Sequence, residues 1–257
     1  MAAPSGSFMT PDALLARLLY KDSLVLVIDK PAGLAVHAGP KGGENLEQHF
    51  HALRFGLPRP PALAHRLDRD TSGCLVLGRH RKALAKLGRL FSSGRVSKVY
   101  WAVVAGAPAQ PEGRVDLALA KRSTATRGWW MKTDPEGLPA ITDYRVMGRC
   151  SGPGGEFAWL ELKPLTGRTH QIRVHCEALG CPVLGDPIYG RDMSKAGEAP
   201  LHLQARSVTL PLYPSREPLH ITAPVPEHMR ELLAACGWRE ETETLPPLLN
   251  ETIVRAE

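Results

Sequence analysis

The stretch HRLDRDTSGCLVL, residues 65–77, sets two carboxylates, Asp68 and Asp70, among His65, Arg66 and Arg69 and then runs into apolar residues. The apolar end, residues 74–77, reads as a buried strand. Downstream, Ala83, Leu84, Leu87 and Phe91 fall at helical spacing. Upstream, residues 24–28 read as a strand closed by the turn Lys30-Pro31-Ala32-Gly33. Asn45 is placed to cap a helix with Leu46, Phe50 and Leu53 on one face. Further out, residues 99–105, 115–120, 141–147, 157–162 and 203–210 look strand-like. Residues 169–179 are expected to be helical, because Ile172, Cys176 and Leu179 share a face and Gly180 and Pro182 supply a stop. Strands met in succession and interrupted by few helices predict an α+β fold with a largely antiparallel sheet. The segments interleave without a linker, so one domain is expected over residues 21–238. An N-terminal extension (1–20) and an acidic, flexible tail (239–257) flank it.

The chain has 257 residues, 43% hydrophobic and 23% charged, the balance of a globular protein with a proper core. Its longest aliphatic run is five residues, far short of the ~20 that span a membrane, so no membrane partner is expected. MAAPSGSFMT at the N-terminus has no basic region leading into an apolar one, which predicts no secretory signal and a cytoplasmic address. The five cysteines (74, 150, 176, 181, 236) include no C-x-x-C pair and read as reduced core thiols. Nothing in the sequence implies an obligate protein partner or more than a monomer.

The net charge is +6, but residues 239–257 carry −3, leaving +9 for the rest. From Thr71 to Pro111 there is no acidic residue, against Arg79, Arg81, Lys82, Lys86, Arg89, Arg95 and Lys98. A stretch of one sign that long suits a polyanion, since binding phosphates releases counterions. Trp129 and Trp130 follow Lys121, Arg122 and Arg127, and are read as one core and one surface residue rather than a base-stacking pair.

Three polar clusters compete for an active site: residues 65–73, residues 97–103 around Lys98 and Tyr100, and residues 166–175 entering a helix. In the first, an Asp beside Arg stays ionised and serves as nucleophile or charge stabiliser, or else merely caps a turn. In the third, Arg168, Gln171 and His175 share one helix face and His170, Arg173 and Glu177 an adjacent one. Arg168 adds a cation to a helix start that already favours anions. A metal held by His65, Asp68, His170 and His175 is disfavoured, because the two helical histidines are five apart. A glycosidase pairing Asp68 with Glu161 has no spacing in its support. No GxxxxGK[ST] or GxGxxG occurs, so no cofactor is expected.

Taken together the clusters resemble the RluA-type family of RNA pseudouridine synthases. The resemblance runs from about Leu24 to about Val225. Its landmarks are IDKPAGLAVH (28–37), HRLDRDTSG (65–73), SKVYWAVVAG (97–106), PLTGRTHQIRVH (164–175), PVLGDPIYG (182–190) and LHLQARSVTLP (201–211). It implies a mixed, mainly antiparallel central sheet with flanking helices and a cleft. It implies that Asp68, not Asp70, is the catalytic aspartate, that Tyr100 is the active-site tyrosine, and that Arg173 ion-pairs the aspartate. Arg66 would enter the RNA stack where the target base leaves, and Ile172 would line the uracil pocket. His65, Arg168 and Gln171 are expected to contact substrate. The S4 RNA-binding domain of many relatives is not expected, as residues 1–23 are too few.

The implied reaction, uridine to pseudouridine in ribosomal or transfer RNA, breaks the N-glycosidic bond and rejoins the uracil through carbon 5. No atom is gained or lost, so neither cofactor nor metal is called for. Asp68 could attack the ribose or the base, or remove a ribose proton, while Tyr100 stacks on the uracil and takes part in removing the carbon-5 proton. Arg173 opposes the desolvation that would protonate Asp68, with a forked geometry lysine lacks. The alternative is an RNA-binding or RNA-folding factor that uses the same cleft without catalysis.

Overall fold

A computed structural model describes residues 9–39, 42–124, 126, 128–152, 155–190 and 199–240. Most of the expected acidic tail, the start of the expected extension, and Arg127 lie outside the described residues. The rest of the expected extension packs on the domain. Thr10 caps the short helix α1 (Pro11–Leu15), which buries Leu14, and β1 (Leu18–Lys21) pairs with β2 (Val25–Lys30). A 3-10 helix (Leu46–Leu53), β3 (Ala62–Leu63), β4 (Ser72–Gly78), α2 (Arg81–Ser92), β5 (Ser97–Ala105) and β6 (Glu112–Asp116) follow. Next come β7 (Leu119–Thr124), β8 (Gly128–Thr133), β9 (Ile141–Gly152), β10 (Gly155–Pro164) and α3 (Gln171–Ala178). The described chain closes with β11 (Leu203–Leu210), β12 (Leu219–Thr222) and α4 (Glu227–Ala235).

The main sheet runs β1-β2-β4-β11-β5-β10-β9-β6, with β12 on β11 and β3 on β4, while β7 and β8 form a separate hairpin. Among the described residues β4–β11 is the parallel pair and the others are antiparallel, so the fold is mixed α+β as the sequence predicts.

Alternation along each strand assigns the two faces. Val25, Val27, Cys74 and Val76 pack with Leu87 and Leu90 of α2. Leu26, Ile28, Leu75 and Leu77 turn the other way, onto Leu46, Phe50 and Leu53 of the 3-10 helix. With both faces covered, every residue of β4 is buried, which is why it reads as a continuous apolar run. Each large side chain so buried contributes about 1.5–3 kcal/mol. Across the sheet, Ala102, Val104, Leu160 and Leu162 meet Ile172 and Cys176 of α3, and Val103, Phe157 and Trp159 meet Met229 and Leu233 of α4.

Several expected boundaries shift, two of them with a clear physical cause. Residues 115–120 are not one strand. β6 leaves the sheet edge after Asp116, and Leu119 is buried with Met131, Ala140, Val174 and Tyr189 under the β7–β8 hairpin. The alternation Val115, Leu117, Leu119 does not record that its burial partner changes midway. The third helix starts at Gln171, because His170 sits in the left-handed region with φ 53.

β4 and β11 pair only across Ser72–Gly73 and Gln204–Ala205, and Gly73, which faces Ala205, has φ +101. A β-carbon there would collide with the Ala205 carbonyl. Gly73→Ala is therefore expected to destabilise the fold by at least about 2 kcal/mol, read as a lowered urea midpoint with an unchanged m-value. A wild-type midpoint would mean the strands can separate there at no cost.

Candidate active site

Beyond Gly73, β4 diverges from β11, and β3 with the loop behind it fills the wedge. On that edge Val76 accepts a hydrogen bond from Ala64 N–H at 3.1 Å, and its own N–H donates to His65 Nε2 at 3.0 Å. An imidazole thus supplies the acceptor that a neighbouring strand would otherwise give. His65 also stacks on Phe91, and burial drives its pKa down to about 3. Its ring is neutral and hydrogen-bonded to the backbone.

The wedge opens into a cavity of about 1240 Å³ whose wall includes all eight expected site residues: His65, Arg66, Asp68, Tyr100, Arg168, Gln171, Ile172 and Arg173. Its other borders are the C-terminal turn of α2, the turn before α3, and Trp129 of β8.

Asp68 and Asp70 are separated by the turn that carries them. Asp70 lies 3.7 Å from Arg69 Nε, whereas Asp68 faces inward, its Oδ2 3.7 Å from Arg173 Nη1 and 4.0 Å from His170 Nε2. Arg173 is only 3% exposed, and its principal partner is not Asp68. Its Nε and Nη2 donate to the two oxygens of Asp186, each at 2.7 Å. Asp186 Oδ1 also accepts from Ile188 N–H and Tyr189 N–H. The expected pairing is thus a shared one, in which Asp186 holds the fork and Asp68 meets the remaining nitrogen. The sequence reading missed Asp186, although an Asp-Pro turn inside the PVLGDPIYG landmark was a usable signal.

Tyr189 extends the array. Its hydroxyl accepts from Met131 N–H at 3.0 Å and lies 2.9 Å from His170 Nδ1. A hydroxyl that accepts from the amide is free to give its own proton to Nδ1, and in that arrangement the imidazole proton sits on Nε2, toward Asp68. Burial lowers the His170 pKa, favouring this neutral ring.

Lys30, which the sequence places in a turn within the IDKPAGLAVH landmark and to which it assigns no role, is fully buried. Its Nζ donates to Pro31 O at 2.6 Å and Arg69 O at 2.8 Å, and Arg69 Nε donates back to Gly33 O at 3.0 Å. These bonds lace residues 30–33 to the turn carrying Asp68. Burial pulls the Lys30 pKa down to about 7, against the opposing pull of Asp70, Asp68 and Asp29.

Tyr100 of β5 packs between the two core clusters on the cleft face. Burial first, and then the Asp68 charge, push its phenol pKa up. In the free protein it stays protonated at neutral pH. Ile172 is buried with its side chain in the cleft-side core.

Gln171 has no amide group left for a substrate. Its Oε1 accepts from Thr166 Oγ1 and Arg168 N–H, and its Nε2 donates to Ile141 O and Thr142 Oγ1. It shapes the turn that presents exposed Arg168, whose Nε donates to Pro139 O. His175 is likewise internal, between Thr142 Oγ1 and Leu117 O.

Of the basic run, Arg79 is buried on Asp22 O and Phe55 O. Lys98 donates to Thr166 O in the cleft wall, and burial lowers its pKa. Arg81, Lys82, Arg89 and Arg95 are exposed, as is Arg66 at the cleft wall.

The family model described as RNA pseudouridylate synthase matches residues 24–178. An uncharacterised RNA pseudouridine synthase of Zymomonas mobilis is 39% identical over 220 residues, covering 85% of this chain and 98% of that protein. The ribosomal large subunit pseudouridine synthase D of the same organism is 34% identical, covering 73% of this chain and 60% of that longer protein. Among solved structures, the human RNA pseudouridylate synthase domain containing 4 superposes with a TM-score of 0.72 at 29% identity, covering 88% of this chain and 95% of that one.

Lys30 binds its proton less tightly when folded, at about 7, than at the ordinary value of 10.5. Folding therefore releases a proton between those values. The residue's contribution to stability rises with pH across that window, by at most about 1.4 kcal/mol per unit. In Lys30→Met this contribution vanishes, so the rise in urea midpoint from about pH 7 to about pH 9 should be smaller than in wild type. An identical rise in both proteins would assign it to other groups.

Proposed function

The chain belongs to the RNA pseudouridylate synthase family, and on that premise we propose that it isomerises uridines of ribosomal or transfer RNA with Asp68 as the catalytic carboxylate. The observation that carries the assignment is the Asp68 carboxylate held 3.7 Å from a buried guanidinium on the wall of the cleft, beside Tyr100. A ribosomal target draws support from the 34% identity to the large-subunit synthase.

In this reading the N1–C1′ bond breaks, the uracil turns, and C5 bonds to C1′. The C5 proton leaves and N1 gains one, so the reaction balances without a redox partner. Asp68 acts at the ribose or base as the glycosidic bond weakens. Arg173, fixed on Asp186, keeps positive charge beside it throughout. Tyr100 offers a protonated ring for the uracil to lie against, with Ile172 behind it. Everting the uridine costs roughly a few kcal/mol, and Arg66 offsets part of this by filling the vacated stack. Gln171 and His65 act as positioning residues, holding the two loops that meet at Asp68. Arg89 and Arg95, on either side of the α2 turn that borders the cleft, take phosphates.

Asp68→Ala is expected to abolish pseudouridine formation in transcripts while leaving RNA affinity nearly unchanged. Retention of the wild-type rate would remove Asp68 from the chemistry, and a wild-type protein that binds but never converts would favour the non-catalytic reading. Mapping pseudouridine in ribosomal and transfer RNA from cells lacking the gene should reveal the target as the position that disappears. Replacing both Arg89 and Arg95 by serine should flatten the dependence of log affinity on log salt by about 1.4, at ~0.7 per contact on single strands. An unchanged slope would place the phosphates elsewhere.

A further inference from the structure

Trp129 does no work for the core. Of the adjacent tryptophans, Trp130 packs against the cluster of Leu119, Met131 and Tyr189, whereas Trp129 is 46% exposed and lines the same cleft as Asp68. The indole stacks on the His170 ring, with centroids 5.2 Å apart and planes 27° from parallel. His170 Nε2 in turn lies 4.0 Å from Asp68 Oδ2, so a single imidazole separates the exposed indole from the carboxylate. The platform is firmly held. Tyr189 bonds both the hairpin, through Met131 N–H, and His170, through Nδ1. His170 itself keeps a left-handed backbone, a conformation that non-glycine residues seldom hold without support. Lys121, exposed on the paired strand, places its Nζ 5.0 Å from the indole centroid.

We propose that Trp129 is a stacking surface for an unpaired base of the RNA substrate, beside the uridine everted toward Asp68, with Lys121 turning to the adjoining phosphate. The inference rests on the isomerase reading of this cleft and extends it to substrate choice. An aromatic face accepts any base, so it imparts little sequence preference. It does require that the base be free to leave its own stack, which selects uridines in loops and other single-stranded segments over those inside duplexes.

The test combines Trp129→Ala and Trp129→Phe with single-stranded RNA oligonucleotides whose central uridine has either a normal or an abasic neighbour. Binding is measured in the Asp68→Asn background so that no turnover intervenes. Trp129→Ala should weaken binding about 10- to 100-fold, while Trp129→Phe should recover most of it. The abasic neighbour should cost the tryptophan protein a similar factor and cost Trp129→Ala almost nothing. With Asp68 intact, Trp129→Ala should raise KM on transcripts with little change in kcat, and more for loop uridines than for duplex ones. An undiminished abasic penalty in Trp129→Ala, or wild-type binding by that variant, overturns the inference. Coupling between Trp129 and the neighbouring base in a protein that never forms pseudouridine would keep this inference and overturn the isomerase reading. Full turnover with a silent Trp129→Ala would do the reverse.

Discussion

A guanidinium that is 3% exposed has to be matched by opposite charge, and in this fold Asp186 supplies the match. Its side chain is wholly buried, and both of its oxygens meet the Arg173 fork at 2.7 Å. Removing one partner of such a pair would strand the other and cost about 3–5 kcal/mol. Asp68, whose side chain is 28% exposed, is too open to water to hold the arginine alone. The division of labour follows: one carboxylate fixes the cation in the interior, and the other meets the remaining nitrogen at 3.7 Å while staying open to the cleft. Because Asp186 also accepts two amide bonds from its own turn, the cation's position is set by backbone as well as charge.

The cleft exists because the sheet is interrupted. β4 and β11 pair across two residues and then part, and the freed β4 edge is satisfied by the two-residue β3, Ala64 and His65 instead of a full strand. This places the turn with Asp68 at the point of separation. Across the gap, Tyr100 and α3 present the opposite wall. Buried Lys30 closes the arrangement from below by bonding Arg69 O and Pro31 O, tying the strand before the wedge to the turn within it. A site assembled at such a junction can be rigid although its functional side chains come from loops.

The cationic surface divides in the same way between structure and function. Arg79, Arg173 and Lys30 are consumed by the interior, where their partners are carbonyls and carboxylates of this chain. Arg66 lines the cleft, and Arg89 and Arg95 are exposed next to cleft-lining residues of the α2 turn. Net charge alone therefore overstates the surface available to a polyanion, and burial decides which cations count.

Much of this was legible in advance. Short apolar runs marked β2 and β4, strand-like segments marked β5, β9, β10 and β11, and the 3.6 pattern marked α2 and α3, because such patterns follow directly from which side chains face a core. The motifs likewise flagged Asp68, Tyr100 and Arg173, the residues around which the cleft is built. Short elements such as β3 and β12 left no trace, since two to four residues cannot display a period. What only tertiary structure decided was the pairing of polar groups: Arg173 with Asp186, Gln171 with its own turn, His65 with Val76, and Lys30 with two carbonyls. Hydrophobic burial is written along the chain as repetition. A hydrogen bond depends on which distant atoms come within about 3 Å once the chain is packed, and no local spacing encodes that.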